Sequence, residues 1–141
     1  VAKQGAATVR NGMKPLLCVG ENAKERTEGK TARKISMQIN NAFKGLQAEQ
    51  AKEVVVAYEP LWAIGSGQAA TAKDAQEVCH LIREKLTTMF GEKISRQVRI
   101  LYGGSVNENN AVAFKISGID GVLVGGASLN AKAFSAIVRS F

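Results

Sequence analysis

The sequence predicts an α/β fold built on a parallel β-sheet. Short apolar runs alternate along the chain with longer stretches whose apolar residues recur at helical spacing. Parallel neighbours need a crossover connection, and a helix between successive strands supplies it. The strand runs are apolar on both faces, as expected for strands covered on both sides. With 141 residues, 45% of them hydrophobic, the chain fits one domain with a sizeable core.

The elements follow in a regular order. A helix is expected before Gly12, where the glycine marks its C-terminal end. Four strands are expected over residues 14–19, 54–58, 98–102 and 121–124. Thr71 followed by Asp74 is typical of the capping box that begins a helix, and a short helix is expected at about 107–115. The other helices carry these apolar stripes: Ile35, Ile39, Ala42, Phe43 and Leu46; Ala75, Val78, Cys79, Ile82, Leu86 and Met89; and Leu129, Ala133, Phe134, Ile137 and Val138.

Two arrangements of the sheet agree with the spacing of the strands and helices along the chain. One is an open doubly wound sheet, and the other is part of an eight-stranded barrel, which needs about 250 residues. Four strands alone cannot close such a barrel and would leave two edges and one inner face uncovered. Spacing does not choose between the two.

The composition argues against several kinds of binding partner. The net charge of +7 comes from 19 basic and 12 acidic residues scattered along the chain, which indicates a solvated surface and no nucleic-acid site. No apolar run is long enough to span a bilayer, so no membrane partner is expected. Cys18 and Cys79 have neither metal spacing nor a disulfide framework, and are expected to be buried, reduced thiols in a cytoplasmic protein.

Unusual residues follow three of the predicted strands, at one edge of the sheet. Glu59 ends the second strand, the segment 103–105 (Gly-Gly-Ser) the third, and Gly125 and Gly126 the fourth, ahead of a helix. Backbone N–H groups at glycine pairs, a helix dipole and the hydroxyl of Ser105 can together bind an oxyanion such as phosphate. For either pair alone a tight turn without a ligand is the alternative, but two pairs at successive strand ends favour a phosphate site.

Glu59 and the residues after it predict a base and a lid. Pro60 stiffens the start of the segment, and glycines at 65 and 67 loosen its far end. Apolar residues between them, including Trp62 and Ile64, would exclude water from the carboxylate. Such a base suits removal of a proton next to a carbonyl group. The alternative is a surface glutamate before an ordinary loop.

Four segments, in this order, resemble the C-terminal part of the triosephosphate isomerase family. They are LCVGE at 17–21, AYEPLWAIGSG at 57–67, YGGSV at 102–106 and DGVLVGGASL at 120–129. The resemblance implies a (β/α)8 TIM barrel, to which residues 1–141 contribute strands five to eight as the C-terminal half of a single domain. It implies interconversion of dihydroxyacetone phosphate and D-glyceraldehyde 3-phosphate through an enediolate, in glycolysis and gluconeogenesis, without a cofactor or metal.

The same resemblance implies a role for individual residues. Glu59 matches the catalytic base. The phosphate-binding residues implied are Gly65, Ser105, Gly125 and Gly126, and the lid and its closing contacts are Pro60, Trp62, Ile64, Gly67, Tyr102 and Ser105. Leu61, Ser66 and Gln68 stand where the family commonly has valine, threonine and lysine, departures that are expected to tune the hinge.

Half of the family's site has no match in this sequence. Its electrophilic histidine and its substrate-binding asparagine and lysine are expected upstream of Val1, in a first half of the barrel, and a chain that opens on valine fits that expectation. His80, the one histidine, lies mid-helix and is expected to be a surface or packing residue.

Three interpretations follow. The first is a triosephosphate isomerase fragment that is inactive alone, with a phosphorylated triose as substrate and a homodimer expected for the full-length member. The second is a non-catalytic phosphate-binding half-barrel that self-associates through its open edges. The third, another phosphosugar barrel enzyme, is disfavoured by the Glu-Pro-x-Trp lid.

Overall fold

The computed structural model describes residues 1–64 and 69–141 and contains the predicted parallel sheet. Its strands are β1 (Leu16–Val19), β2 (Val55–Tyr58), β3 (Arg99–Tyr102) and β4 (Gly121–Val122). They pair in parallel in the order β1-β2-β3-β4. Spatial order therefore equals chain order, whereas a doubly wound sheet reverses direction at a switch point. The arrangement is that of a partial (β/α) barrel.

The helices agree with the prediction where the apolar stripes are long. Residues 1–64 and 69–141 contain the helices α1 (Ala2–Arg10), α2 (Ala23–Thr27), α3 (Thr31–Phe43), α4 (Ala48–Ala51), α5 (Ala72–Phe90), α6 (Glu92–Ser95) and α7 (Ala131–Ser140). Short 3-10 helices cover Leu61–Ala63, Ala111–Phe114 and Gly126–Leu129. Gly12 follows α1 with φ 73°, as expected for a helix stop. None of the helices in the described residues is long and apolar enough to cross a membrane.

Three predicted elements differ from the structure. The helix expected at 107–115 is instead a turn at 108–110, where the Asn107 side chain accepts the backbone N–H groups of Asn109 and Asn110, followed by the short 3-10 helix at Ala111–Phe114. The fourth strand stops at Val122, since its partner β3 ends at Tyr102. The last helix begins after Asn130, whose side chain accepts two of its first N–H groups, so Leu129 lies outside it.

The core lies between the sheet and the helices. Side chains alternate along a strand, and one face of the sheet packs against helices. α3 covers β1, α5 covers β2 and β3, and the 3-10 helix at Ala111–Phe114 lies against β4. The largest fully buried side chains are Tyr58, Tyr102, Phe43, Ile35, Ile39, Ile82, Leu86, Ile100 and Ile137, with Val56, Val98 and one carboxylate, Glu21. In α7 only Ala133 and Ile137 of the expected stripe are buried, while Phe134 and Val138 stay exposed on a helix with few neighbours.

The opposite face of β1 is open. Leu16 is 47% exposed and Cys18, two residues on, is also exposed. The expectation that Cys18 is buried is therefore wrong for this chain, because it lies on the inner face, which the described residues leave uncovered. Cys79 is buried as expected.

Candidate active site

The carboxyl ends of β2, β3 and β4 enclose a cleft of about 510 Å³. Its lining includes five residues from the predicted site: Glu59, Ile64, Ser105, Gly125 and Gly126. The remaining lining residues are Gly103, Gly104, Val106, Asn107, Leu123 and Val124. The sheet thus brings the predicted base and the predicted phosphate-binding glycines to one opening. Gly65 and Gly67, with Ser66 and Gln68, lie outside the described residues.

Glu59 is held between two glycines at neighbouring strand ends. Its backbone N–H donates to the carbonyl of Val19 at 2.7 Å. A Cβ added at Gly20 would lie 1.8 Å from the Glu59 carbonyl oxygen, and one added at Gly103 would lie 2.7 Å from Glu59 Cγ. Both distances are well inside van der Waals contact, so only glycine fits on either side of Glu59.

The glycine pair after β3 is explained by packing. Gly103 makes room for Glu59, and a Cβ at Gly104 would lie 2.0 Å from the hydroxyl oxygen of Tyr102. An oxyanion is not needed to account for these two glycines.

The glycine pair after β4 is different. A Cβ at Gly125 or Gly126 would meet no atom within 4 Å. Within the described residues, the N–H groups of this pair donate to no other protein group. The dipole expected from the following helix is absent at this point, since α7 begins at Ala131 and the Asn130 side chain already caps it. At this end of the cleft, the groups available to bind an anion are backbone N–H groups of the 3-10 turn at Gly126–Leu129.

Ser105 contacts the lid segment. Its hydroxyl donates to the carbonyl of Ala63 at 2.7 Å, and its own carbonyl accepts from Asn110 Nδ2 at 2.9 Å. The hydroxyl therefore holds the part of the lid that comes just before Gly65. The sequence did not indicate the support from Asn110.

A buried carboxylate anchors the start of the lid. Glu21 is fully buried, and its Oε1 accepts from Tyr58 Oη and Trp62 Nε1, both at 3.0 Å. Burial, followed by the charge of Glu21, raises the pKa of Tyr58, so its hydroxyl stays protonated and can donate. The Glu21 carbonyl also accepts the N–H of Leu61 at 3.0 Å. Glu21 thus fixes both the backbone and the indole ring of the lid's first turn.

Arg26 connects this turn to the far side of the lid. Its guanidinium carbon lies 4.5 Å from the centre of the Trp62 ring, and its Nη1 is 3.4 Å from Glu21 Oε1. Its Nη2 donates to Asp74 Oδ1 at 2.7 Å. Asp74 belongs to the capping box with Thr71, as predicted, and the Thr71 hydrogen bond contributes most to holding the pKa of that carboxyl below its usual range.

Tyr102 ends β3 in the core below the cleft. Burial raises its pKa, and its hydroxyl has no hydrogen-bond partner among the described residues. The ring stacks on Phe114 with 4.1 Å between centroids.

Sequence reasoning missed Glu21 and Arg26 as parts of this site. The available signal was that Glu21 lies two residues after β1, at the same edge of the sheet as Glu59, which directly follows β2.

His80 lies outside the cleft, as expected. It is exposed and lies against the turn at Gly118, where an added Cβ would be 2.4 Å from its Cδ2. Glu59 is the one titratable side chain among the described cleft residues. In residues 1–64 and 69–141, no three His, Cys, Asp or Glu side chains are grouped to hold a metal ion.

Cys18 lies beside Glu59 on the inner face. Although the residue is exposed, protein atoms partly surround its thiol, and this loss of solvent is the main reason that its pKa rises to about 11. The hydrogen bond to Glu59 and the negative charge of that carboxylate raise it further. The thiol therefore reports on the position of Glu59.

Comparison with known proteins gives one consistent result. The family model described as triosephosphate isomerase matches residues 1–141. The chain is 47% identical to the triosephosphate isomerase of Acetivibrio thermocellus over 140 residues, which are 99% of this chain and 56% of that protein. It is 50% identical to that of Moorella thermoacetica with the same coverage, and 48% identical to that of Saccharopolyspora erythraea over 96% of this chain and 52% of that protein. The chain spans about half the length of these curated relatives.

Replacing Glu59 should change the reactivity of Cys18. We expect Glu59→Gln to speed alkylation of Cys18 by iodoacetamide at pH 8 at least about threefold, because removing the carboxylate lowers the thiol pKa and the thiolate is the reacting form. The rate is measured by mass spectrometry on the 141-residue chain. Glu53→Gln, at the other end of β2, is the control and should leave the rate unchanged. Equal rates in Glu59→Gln and the parent chain would show that Glu59 does not face this thiol.

Proposed function

Because the chain belongs to the triosephosphate isomerase family, we propose that it supplies the base and the phosphate-binding part of an enzyme that interconverts dihydroxyacetone phosphate and D-glyceraldehyde 3-phosphate. The observation that carries the proposal is the shared cleft, into which both Glu59 and the N–H groups of Gly125 and Gly126 open. A triose phosphate needs both features, an anion site for its phosphate and a base for the carbon next to its carbonyl.

In this proposal Glu59 transfers a proton between adjacent carbons. Its carboxylate removes the proton next to the substrate carbonyl, and the electron pair of that C–H bond forms the enediolate double bond while the carbonyl oxygen takes up negative charge. The resulting carboxylic acid then returns the proton to the neighbouring carbon, which was the carbonyl carbon. The hydroxyl proton on the first carbon passes to the former carbonyl oxygen, so that the first carbon becomes the new carbonyl. A placed base contributes roughly 10²–10⁴-fold to such a step.

The phosphate is bound at the other end of the cleft. The N–H groups of Gly125 and Gly126 donate to its oxygens, and the backbone of Ser105 lies beside them in the lining. Gly65 is proposed to join them from the lid. Pro60, Trp62, Ile64 and Gly67 form that lid, which Ser105 and Tyr102 hold closed.

The described residues supply no group for the enediolate oxygen. Glu59 is the one titratable side chain in the described lining, and His80 is elsewhere. We therefore propose that residues 1–141 are the C-terminal half of a single barrel domain and that a first half covers the exposed inner face at Leu16 and Cys18 and adds the electrophile. The complete protein is proposed to act as a homodimer in the cytoplasm.

A phosphate-binding half-barrel without catalysis is the second candidate. The open inner face favours it, since electrophile and base must share one site for catalysis. It differs from the first candidate in predicting that the chain binds phosphate on its own and self-associates through its open edges, with no first half of a barrel to join.

The first test replaces the base in the joined protein, which is this chain extended at Val1 by the part of the Acetivibrio thermocellus relative that precedes the matched region. We expect Glu59→Gln to lower kcat roughly 10²–10⁴-fold because the amide cannot accept the proton. The inhibition constant of inorganic phosphate should stay the same, since the anion site is intact. Glu53→Gln is the matched control. Turnover within a factor of two of the parent would remove Glu59 from the role of base.

The second test narrows the anion site without disturbing the fold. Gly126→Ala adds a methyl group that meets no protein atom within 4 Å, so the midpoint of thermal unfolding should not change. The methyl group would crowd a bound phosphate, and we expect the inhibition constant of inorganic phosphate to rise roughly tenfold from one displaced charge-assisted bond. Gly5→Ala in α1, where the nearest atom is 3.9 Å away, is the control. An unchanged inhibition constant in Gly126→Ala would place the anion elsewhere.

A further inference from the structure

The side chain of Gln38 binds both polar groups of Gly20. Gln38 lies on α3, and its Oε1 accepts the N–H of Gly20 at 3.0 Å while its Nε2 donates to the Gly20 carbonyl at 3.1 Å. Gly20 itself is buried. The half-buried amide of Gln38 therefore pairs both backbone polar groups of Gly20, a buried residue in which these groups would otherwise have no hydrogen-bond partner.

These two groups of Gly20 do not serve the sheet. The carbonyls of Val19 and Glu21, on either side, accept the N–H groups of Glu59 and Leu61 at 2.7 and 3.0 Å. Because bonding directions alternate along a strand, the N–H and carbonyl of Gly20 face away from β2. Gln38, on α3, therefore makes the hydrogen bonds to Gly20 that β2 does not make.

The backbone of Gly20 also packs directly against the backbone of Glu59. A Cβ at Gly20 would lie 1.8 Å from the carbonyl oxygen of Glu59 and 2.6 Å from its carbonyl carbon. With no side chain between them, any movement of the Gly20 backbone passes directly to the backbone of Glu59. Interiors packed this closely transmit displacement.

We propose that Gln38 is a positioning residue for Glu59 and acts through Gly20. Its amide fixes the Gly20 backbone from the helix side, and the Gly20 backbone in turn fixes the residue that carries the base. The inference rests on the proposed function of Glu59. It extends that function to a helix residue outside the cleft lining, and it predicts an effect on the chemical step alone, since Gln38 is remote from the glycines at 125–126.

The test is Gln38→Met in the joined protein. The substitution keeps the length of the side chain and removes both hydrogen bonds. We expect kcat to fall roughly tenfold, because a displacement of the base by a fraction of an ångström weakens proton transfer. The inhibition constant of inorganic phosphate should not change. Gln76→Met is the matched control, since Gln76 also bonds from a helix to a backbone carbonyl, that of Ser117 at 2.9 Å, but away from the cleft.

A double substitution separates positioning from loss of structure. In the Glu59→Gln background, Gln38→Met should cause no further loss, because there is no base left to position. An equal fold-loss in both backgrounds, or an unchanged kcat in Gln38→Met, would overturn the proposal. If Gln38→Met does not fold, Gln38→Glu takes its place; it keeps the acceptor for the Gly20 N–H, loses the donor, and should lower kcat by a smaller factor.

Failure of the proposed function can be told apart from failure of this inference. If the unsubstituted joined protein shows no turnover, the proposed function fails, and crystal structures of that protein and of Gln38→Met then decide the positioning claim. A shift of the Glu59 backbone of about half an ångström or more, the tolerance of a working site, would support it. Superimposable Glu59 positions would overturn it.

Discussion

The row of residues that follows the in-register strand ends is the constraint on which the rest of the site depends. Val19, Tyr58 and Tyr102 are paired across β1, β2 and β3, so the next residues, Gly20, Glu59 and Gly103, lie side by side. A carboxylate fits in the middle of this row only because both neighbours lack a side chain. The same parallel register brings Gly125 and Gly126 to the edge that carries Glu59.

Around this row the chain supports the lid with polar groups that are costly to bury. Glu21 loses all contact with water, a penalty of several kcal/mol for an isolated carboxylate. The bonds from Tyr58 and Trp62 to Oε1, with Arg26 close by, offset part of that cost and tie β2 to the lid's first turn, while Oε2 has no partner among the described residues. Arg26 then reaches the cap of α5, so one hydrogen-bonded network connects the start of the lid to that helix.

Periodicity was enough to predict the sheet, the long helices α3 and α5 and the capping box, because these depend on residues close in sequence. Strand-end reasoning likewise brought Glu59 and the glycines at 125–126 together. The exposure of Cys18 was missed even though four strands alone leave an inner face uncovered, because a run that is apolar on both faces does not reveal which of its residues point to that face. The roles of Glu21 and Gln38 could not be predicted, because each depends on groups that converge from separate segments.

The most direct test of the central claim, that this chain holds the base and anion parts of a divided site, is isomerase turnover by complementation. The 141-residue chain and the preceding part of the Acetivibrio thermocellus relative are purified as separate polypeptides and assayed alone and mixed. The account predicts no turnover from the chain alone and measurable turnover on mixing. Turnover by the 141 residues alone that Glu59→Gln abolishes would contradict it, because the chain would then contain its own electrophile.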